Sequence, residues 1–289
     1  MKKLTVILLS ALLLISVSGC SKADGKAEVS SAEEAVLTVG NSNYSKGTFY
    51  KAMTASGYES MVIQKLTEMI YAAQISEDDS ELIQNAEDEA NELIEMSGNY
   101  LDFYLYYYAG VSSIEQYKEL MVYYSKLDAI ADKYIDGHID SLVADTVPKY
   151  ARVIEFADEE TAKEALQKIK DGASFEDVAA ELGTYSYTGE EIVLLKQSTA
   201  DANLAEAVSN AEGTGLLDVI SGEEETWYVA EITDTDYNNF KDAFYDALIN
   251  EGVVAENTVL AYFAKEGNFK IYDEDLYNSF KETYPEFFN

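Results

Sequence analysis

Residues 148–182 read PKYARVIEFADEETAKEALQKIKDGASFEDVAAEL, a pattern that predicts one β-strand followed by two short helices. Residues 150–156 alternate between two faces, which is the period of a strand. Asp158 precedes an apolar spacing of three and four residues, so we expect it to cap the first helix, which Gly172 ends. Ser174 occupies the equivalent capping position before the second helix.

The sequence after these helices, up to residue 235, predicts the rest of a small domain. Its elements are a strand, a helix and two further strands, which we place at residues 192–195, 204–211, 216–220 and 227–232. The resulting order, β-α-α-β-α-β-β, is typical of a compact α+β unit. We therefore predict a domain at residues 148–235.

Both segments that flank this domain are predicted to be helical. Residues 34–147 begin with a short apolar strand at 35–39, and Ser45 is placed to cap the first of several helices. Helical spacing of apolar residues continues to the start of the domain and returns in residues 236–289. The predicted fold class is α+β, with a helical module built from both ends of the chain and interrupted by the domain at 148–235.

Aromatic residues recur at helical spacing shortly before the inserted domain. They are Tyr100, Phe103, Tyr104, Tyr107 and Tyr108, followed by the adjacent pair Tyr123 and Tyr124. Tyrosine combines a broad apolar face with a polar hydroxyl, which suits a surface that binds unfolded polypeptide without strict sequence preference. The same spacing also fits ordinary packing in a helical core. Both interpretations stay open from the sequence.

The N-terminal sequence has the pattern of an exported protein. Residues 1–19 comprise a basic start, an uncharged apolar run and small residues, which is typical of a cleaved signal peptide. The apolar run is too short to span a bilayer, which takes about 20 residues. Cys20, the single cysteine, follows directly, and the stretch resembles a bacterial lipobox, in which the cysteine receives a diacylglyceryl group. An ordinary signal peptide with an incidental cysteine is the alternative. Residues 20–33 are small and polar, as expected of a lipidated tether.

The chain is strongly acidic, with a formal net charge of -34. Such a surface repels phosphate backbones and anionic lipid headgroups, which argues against nucleic-acid binding and leaves membrane attachment to the lipid. The acidity either attracts basic clients or loosely held cations, or simply keeps the protein soluble. Because there is one cysteine, no disulfide can form within the chain, and the fold must depend on its core.

Several stretches resemble one known family. Residues 151–154 (ARVI), 159–165 (EETAKEA) and 172–179 (GASFEDVA) resemble a parvulin-type peptidyl-prolyl isomerase domain, and residues 269–276 (FKIYDEDL) are similar to the family's C-terminal ending. Together with the lipobox, the whole chain resembles the PrsA-like foldase lipoproteins of Gram-positive bacteria. The resemblance implies that the two helical segments form one chaperone module around a parvulin-like insert.

The catalytic pattern departs from that family. Members that isomerise proline bonds usually carry a histidine on the first strand of the insert and another on the last, and the matching positions here are Val153 and Tyr228. A family aromatic residue of the proline pocket corresponds to Leu204. The remnant groove implied by the resemblance comprises Arg152, Val153, Tyr185, Tyr187, Leu204, Trp227 and Tyr228. We expect isomerase activity to be weak or absent, and retained activity through a different pocket is the alternative.

The remaining sequence offers no other catalytic pattern. His138, the single histidine, cannot form a dyad or a zinc site alone, and we expect it to be exposed on a helix. The run from Asp234 begins like a calcium loop but has Asn239 and Tyr245 at the positions of the required glycine and glutamate. No cofactor and no metal site are expected.

The sequence thus predicts a lipid-anchored foldase on the extracytoplasmic face of a bacterial membrane. Its partners would be unfolded or folding secreted proteins and the membrane, through the lipid, while client identity and a homodimeric state are left open. A solute-binding lipoprotein is the alternative from another class. That alternative needs two lobes with alternating parallel strands, whereas one small α+β unit is predicted.

Overall fold

A computed structural model describes residues 29–39, 42–54, 59–75, 80–184, 186–198, 200–223 and 225–288. The predicted signal peptide, Cys20 and most of the tether lie outside the described residues. The chain divides into two compact units, with the divisions between Ile63 and Gln64 and between Ala264 and Lys265. The first unit combines the two terminal segments, and the second is the continuous stretch between them.

The helices and strands follow one another in an order close to the predicted one. In chain order they are β1 (Ala35–Val39), β2 (Ser42–Ser45), α1 (Lys46–Thr54), α2 (Glu59–Gln74), α3 (Ser80–Ser97), α4 (Leu101–Tyr107), α5 (Ile114–Thr146), β3 (Lys149–Phe156), α6 (Glu159–Lys170), α7 (Phe175–Leu182), β4 (Thr188–Leu194), α8 (Ala202–Ser209), β5 (Gly215–Leu216), β6 (Ile220–Ser221), β7 (Trp227–Asp234), α9 (Lys241–Asn250), α10 (Glu256–Glu266) and α11 (Glu274–Thr283). The described helices include none that is both long enough and apolar enough to cross a bilayer.

The first unit contains a β-hairpin in which β1 pairs antiparallel with β2. Ser45 Oγ accepts a 3.3 Å hydrogen bond from the backbone N–H of Thr48, which caps α1 as predicted. In the C-terminal segment, Phe280 of α11 is fully buried, and its ring centroid lies 5.3 Å from that of Phe287 and 5.8 Å from that of Phe269. These aromatic contacts supply the core of that segment.

The second unit contains an antiparallel sheet with strand order β4-β3-β7-β5, and β6 also pairs with β7. The predicted single strand at 216–220 is wrong, because two short strands occupy it. Leu216 pairs with Glu231, whereas Ile220 pairs with Tyr228. The segment from β5 to β6 therefore has one residue more than the stretch of β7 that it faces. An extra residue of this kind interrupts the ladder, as in a β-bulge.

The two helices after β3 begin at the predicted caps. Asp158 Oδ1 accepts a 2.8 Å hydrogen bond from the backbone N–H of Thr161 at the start of α6. Ser174 Oγ accepts a 3.1 Å hydrogen bond from the backbone N–H of Asp177 in α7. Both bonds satisfy donors that a helix start otherwise leaves without a partner. The α+β fold class is confirmed.

Helix α5 connects the helical part directly to the sheet. It is 33 residues long and ends at Thr146. The capping residue Val147 has a left-handed φ of 45°, and Pro148 and β3 follow at once. Its Tyr134 ring lies 5.2 Å from that of Tyr262 on α10, so helices from before and after the insert contact each other. The predicted domain limits at 148 and 235 fall inside the second unit.

Candidate functional site

The inserted sheet is covered differently on its two faces. Helices α6 and α7 cover the face on which Ile154 and Phe156 of β3 and Val229 of β7 are buried. Helix α8 covers the other face, which buries Val153 of β3 and Tyr228 of β7. The two sets alternate because successive side chains of a strand point to opposite faces.

Four of the predicted groove residues meet on the α8 face, where Tyr187 packs, partly buried, against the other three. Val153, Leu204 and Tyr228 belong to one buried cluster, with exposed fractions of 1%, 0% and 4%. They come together as packed core rather than as exposed groove lining. Val153 lies opposite Ala230 across the strands, and Tyr228 lies opposite Glu155. The two positions matched to the family's histidines therefore share a face without being direct cross-strand neighbours.

Trp227 is not part of that cluster. It packs with Ile154 and Val229 on the face covered by α6 and α7. Trp227 directly precedes Tyr228 on β7, and strand alternation turns the two side chains to opposite faces. The predicted place of Trp227 in the groove is therefore wrong.

Arg152 also lies away from the α8 face. Alternation along β3 sets it on the side opposite Val153, so its predicted place in the groove is wrong as well. Its Nε lies 3.9 Å from Oε1 of Glu191 on β4 and is buried without a hydrogen-bond partner among the described residues. The two side chains as a whole are about one third exposed, and an ion pair this long between such side chains contributes little stability. The predicted groove residue Tyr185 lies outside the described residues.

A polar group centred on Glu155 was missed by the sequence reasoning. Its Oε1 accepts hydrogen bonds from the hydroxyls of Thr184 at 2.8 Å and Ser186 at 3.1 Å, and its Oε2 accepts one from the hydroxyl of Tyr228 at 3.4 Å. The ring of Tyr187 contacts that of Tyr228 edge-on, with centroids 6.1 Å apart. Glu155 stands two positions after a predicted groove residue on the same strand, and that spacing is the signal that could have found it.

The tyrosines of this group keep their protons at neutral pH. Burial, reinforced by the carboxylates of Asp201 and Glu155, raises the pKa of Tyr228 to about 12. Burial is also the largest cause of the raised pKa of Tyr187. Both phenols can donate hydrogen bonds, but neither can act as a base. The group can therefore orient a polar ligand, and it contains no imidazole for proton transfer.

The loop before β7 is held close to α8 by Asp201. Its Oδ1 accepts hydrogen bonds from the backbone N–H groups of Asn203 at 2.9 Å and Leu204 at 3.2 Å, which caps α8. Its Oδ2 accepts a hydrogen bond from the backbone N–H of Glu223. Gly222 is enclosed there, since a Cβ on it would lie 2.7 Å from Asp201 Oδ2. The loop therefore has no room for a side chain at this position.

The aromatic residues at and around α4 are exposed. Exposed fractions between 36% and 76% are found for Tyr100, Phe103, Tyr104, Tyr107 and Tyr108. Their rings contact one another along the helix, with centroids 4.5 Å apart for Phe103 and Tyr107. Leu105 is the one buried residue of α4. The core interpretation is therefore wrong for these five residues. Tyr106, which the sequence reasoning missed, is also 69% exposed.

The predicted pair Tyr123 and Tyr124 is divided between two cavities. Tyr123 and Tyr106 both line a cleft of about 900 Å³ between α2, α3 and α5. The Tyr123 hydroxyl donates to Oε1 of Glu256 at 3.3 Å, and burial raises its pKa to about 12. Tyr124 lines a smaller cavity of about 150 Å³ with Leu127 and residues of α9 and α10. Of this pair, Tyr123 alone lines the cleft next to α4.

His138 is partly buried, not exposed as predicted. Its ring stacks on that of Tyr134 with centroids 4.2 Å apart, and its Nδ1 donates to the Tyr134 carbonyl at 2.7 Å. The Tyr262 ring contacts it edge-on at 5.0 Å. These contacts make His138 part of the packing between α5 and α10. Across the described ranges, no three or more His, Cys, Asp or Glu side chains come together as metal ligands.

Comparison with known proteins relates the chain to foldases. No family model matches it. Foldase protein PrsA 2 of Listeria innocua serovar 6a is 28% identical over 135 residues, which are 44% of this chain and 46% of the relative. The matched part thus spans less than half the length of that curated relative.

Three solved structures are also similar. The foldase protein PrsA from Streptococcus pneumoniae is 17% identical, with 86% of this chain and 98% of that chain covered and a TM-score of 0.46. The peptidylprolyl isomerase (PrsA) from Bacillus cereus is 18% identical, with coverage of 87% and 99% and a TM-score of 0.42. The foldase protein (PrsA) from Lactococcus lactis is 16% identical, with coverage of 87% and 99% and a TM-score of 0.44. The chain is similar to PrsA foldases, as the resemblance in its sequence indicated.

Proposed function

We propose that the protein binds unfolded or folding secreted proteins and assists their folding, as a foldase of the PrsA type. The observation that carries the proposal is the group of aromatic rings left exposed to water at residues 100–108. Exposed apolar patches of this kind are typical of sites that bind other polypeptides. The name of the Listeria relative, a foldase, supports the same function.

In this proposal the two helical segments, 34–147 and 236–289, act as the chaperone module and residues 148–235 as a parvulin-like domain. Contacts between α5 and α10 support a helical module assembled from both sides of the insert. The absence of a flexible linker between α5 and β3 supports a fixed attachment of the insert.

The proposal places the protein on the extracytoplasmic face of the membrane, anchored by a diacylglyceryl group on Cys20. The support is the sequence of residues 1–20, which lie outside the described residues. Two acyl chains suffice for stable anchoring where one chain is marginal. Expressed in a Gram-positive host, the protein should enter the detergent phase on phase separation, and Cys20→Ser should move it to the aqueous phase. Equal partitioning of both forms contradicts the anchor.

We further propose that prolyl isomerisation by the insert is impaired. The amide barrier is about 18–20 kcal/mol, so a catalyst must stabilise the twisted amide in a suitable pocket. The positions matched to the family's histidines carry Val153 and Tyr228, and both side chains are packed in the core with Leu204. The absence of imidazole at these two positions and the close packing of the side chains that replace it support loss of activity.

An active isomerase is the second candidate, and one observation favours it. The carboxylate of Glu155 and the hydroxyls of Thr184, Ser186 and Tyr228 form a polar group on the same sheet face as the histidine positions. Exchange spectroscopy on a short Xaa-Pro peptide separates the two candidates. No enhancement of cis/trans exchange supports impairment, and enhancement that Tyr228→Phe abolishes establishes the isomerase.

Aggregation of a denatured secreted protein tests the foldase proposal. The chain from Ser21 onwards should slow the rise in light scattering at equimolar amounts. Tyr107→Ser should weaken this effect several-fold, because it removes an exposed ring of α4. Tyr272→Ser is the matched control, since Tyr272 is also exposed but lies in the loop that precedes α11, distant in sequence from α4. Aggregation at an unchanged rate in the presence of excess protein contradicts the proposal.

A further inference from the structure

We propose that residues 80–110 form a surface that selects arginine- and lysine-containing segments of unfolded polypeptides. This acidic-aromatic surface comprises α3, α4 and the short connection between them. The inference rests on the proposed foldase function and adds to it the chemical class of the client segment.

Carboxylates are concentrated on this surface without any compensating base. Between residues 80 and 110 the chain has no lysine and no arginine, and its acidic residues there are Glu81, Glu87, Asp88, Glu89, Glu92, Glu95 and Asp102. All seven are exposed. The buried residues of α3 are Ala86, Ala90 and Leu93, so this helix packs through apolar side chains and presents acids to water.

Exposed aromatic rings follow these carboxylates along the chain, in the segment directly after α3. Tyr100, Phe103, Tyr104, Tyr106, Tyr107 and Tyr108 are all exposed. A guanidinium or ammonium group over such a ring is attracted by the ring quadrupole. Carboxylates of the same segment, such as Asp102 between Tyr100 and Phe103 in the sequence, add Coulomb attraction for a cation. A cationic segment with apolar neighbours therefore matches both features of the surface.

Elsewhere the chain uses its own lysines for such contacts. Lys241 lies over the ring of Tyr245 at 4.8 Å, and Lys126 lies over that of Tyr71 at 5.2 Å. In the part of the chain that the structure describes, no lysine or arginine lies over any of the six rings at 100–108. A cationic side chain of a bound polypeptide can therefore contact these rings without displacing a described lysine or arginine of this chain.

A cleft extends the surface toward α5. It has a volume of about 900 Å³ and is lined by Glu87 and Tyr106 of the acidic-aromatic surface together with Glu119 and Glu68, the latter ion-paired with Lys65. Lys118 and Lys126 also line it, so the carboxylates of the cleft are partly compensated, unlike those of residues 80–110. Pockets of about 300–1,000 Å³ hold drug-sized ligands, so this cleft can take side chains of an extended segment. Its Val111 and Leu120 supply apolar contacts beside the acids.

The charge of the chain disfavours two other occupants. A second copy would bring another net charge of -34 against the same acids, and nucleic acid would bring phosphates. A neutral apolar segment could contact the rings but would leave the carboxylates without a partner. Charge complementarity thus favours a basic, unfolded polypeptide segment.

Two fluorescent peptides of identical sequence test the proposal, one with four arginines and the other with citrulline in their place. Citrulline keeps the shape of arginine and removes its charge. With the chain from Ser21 onwards, fluorescence anisotropy should give at least tenfold tighter binding of the arginine peptide in low salt. This preference should largely disappear at about 0.5 M salt, where the screening length falls to several ångströms.

Variants localise the effect. The combination Glu87→Gln, Asp88→Asn, Glu89→Gln and Glu92→Gln should reduce the preference for arginine at least fivefold. The matched control neutralises four exposed acids outside the surface: Asp140→Asn, Asp145→Asn, Glu160→Gln and Glu212→Gln. It should leave the preference within twofold, because these four acids lie outside the surface, although the change in net charge is the same. Equal losses in the two variants would assign the preference to net charge and overturn the local surface.

The outcomes separate this inference from the proposed function. Equal binding of the arginine and citrulline peptides overturns the charge selection and leaves the foldase proposal standing. Absence of binding by both peptides, together with unchanged client aggregation, overturns both proposals. Concentration-dependent self-association that Tyr107→Ser abolishes would assign the surface to a second copy and overturn the inference.

Discussion

The hydroxyl of Tyr245 on α9 donates a 2.6 Å hydrogen bond to Oδ1 of Asp136 on α5, although the two residues are 109 positions apart. Lys241, one turn earlier on α9, donates to the same oxygen at 3.1 Å. The whole inserted sheet lies between these residues in the sequence. One carboxylate therefore ties the helices before and after the insert together.

Tyr245→Phe should lower the free energy of unfolding by about 1–2 kcal/mol, since it removes a hydrogen bond to a charged group. The Tyr245 hydroxyl, followed by Lys241, holds the pKa of Asp136 below its ordinary value. A carboxylate with a lowered pKa stabilises the fold above its unfolded pKa, and this contribution is lost as the pH falls through the folded value. Urea unfolding at pH 7 and pH 3 should show the difference between wild type and variant shrinking at pH 3. Tyr272→Phe, at an exposed tyrosine, should have no comparable effect.

Gly222→Ala should lower the free energy of unfolding by about 1–3 kcal/mol, as overpacking does. A Cβ there would lie 2.4 Å from Thr226 Oγ1 and 2.5 Å from Tyr228 Cε2. Gly213→Ala is the matched control, because no described atom lies within 4 Å of a Cβ at that position. Its effect should stay within about 0.5 kcal/mol. Chemical denaturation measures both, and equal effects would contradict the close packing of Gly222.

Alkaline pH should destabilise the protein between about pH 10 and pH 12. Burial raises the pKa of Tyr123, Tyr228 and Tyr245 to about 12. A raised pKa contributes stability that is complete below the unfolded value, near 10, and is lost as the pH rises through the folded value. The thermal midpoint should therefore fall across this range. Absorbance at about 295 nm should show a late-ionising fraction among the 23 tyrosines. Ionisation of every tyrosine near pH 10 in the folded protein would contradict this prediction.

Leu204→Ala should cost about 2–5 kcal/mol, the usual range for removing a fully buried leucine. Leu204 is 0% exposed and packs with Val153 and Tyr228. Met96→Ala, at an exposed position of α3, should change the stability by less than about 0.5 kcal/mol. Thermal and urea unfolding measure both variants. A small effect at Leu204 would instead support an open groove at this position.

Short-range patterns predicted most helices and strands of residues 148–235. Asp158 and Ser174 cap helices because their side chains bond to backbone N–H groups only three residues away, which the local sequence determines. The break between β5 and β6 was not predicted, since it depends on the register against β7. Such pairing joins residues that are distant in the sequence.

The candidate site was predicted less well than the fold. The family resemblance implied one groove for Trp227 and Tyr228, although strand alternation assigns neighbours to opposite faces. Helical spacing grouped Tyr104 and Tyr107 correctly on one segment, but spacing alone does not show what covers a helix face. Glu155 was missed because its partners come from a loop and from another strand.

Because α5 passes directly into β3, the length of this helix fixes the distance between the cleft and the sheet. From Tyr123 at the cleft to Thr146 at its last turn, α5 covers about 35 Å at roughly 1.5 Å per residue. The C-terminal end of α5 is fixed to the segment after β4, since the Lys196 backbone N–H donates to the Thr146 carbonyl at 2.7 Å. An extended polypeptide advances about 3.3 Å per residue, so roughly ten residues are needed to cover this distance. The rigid junction thus sets a minimum length for any chain that touches the cleft and the inserted sheet together.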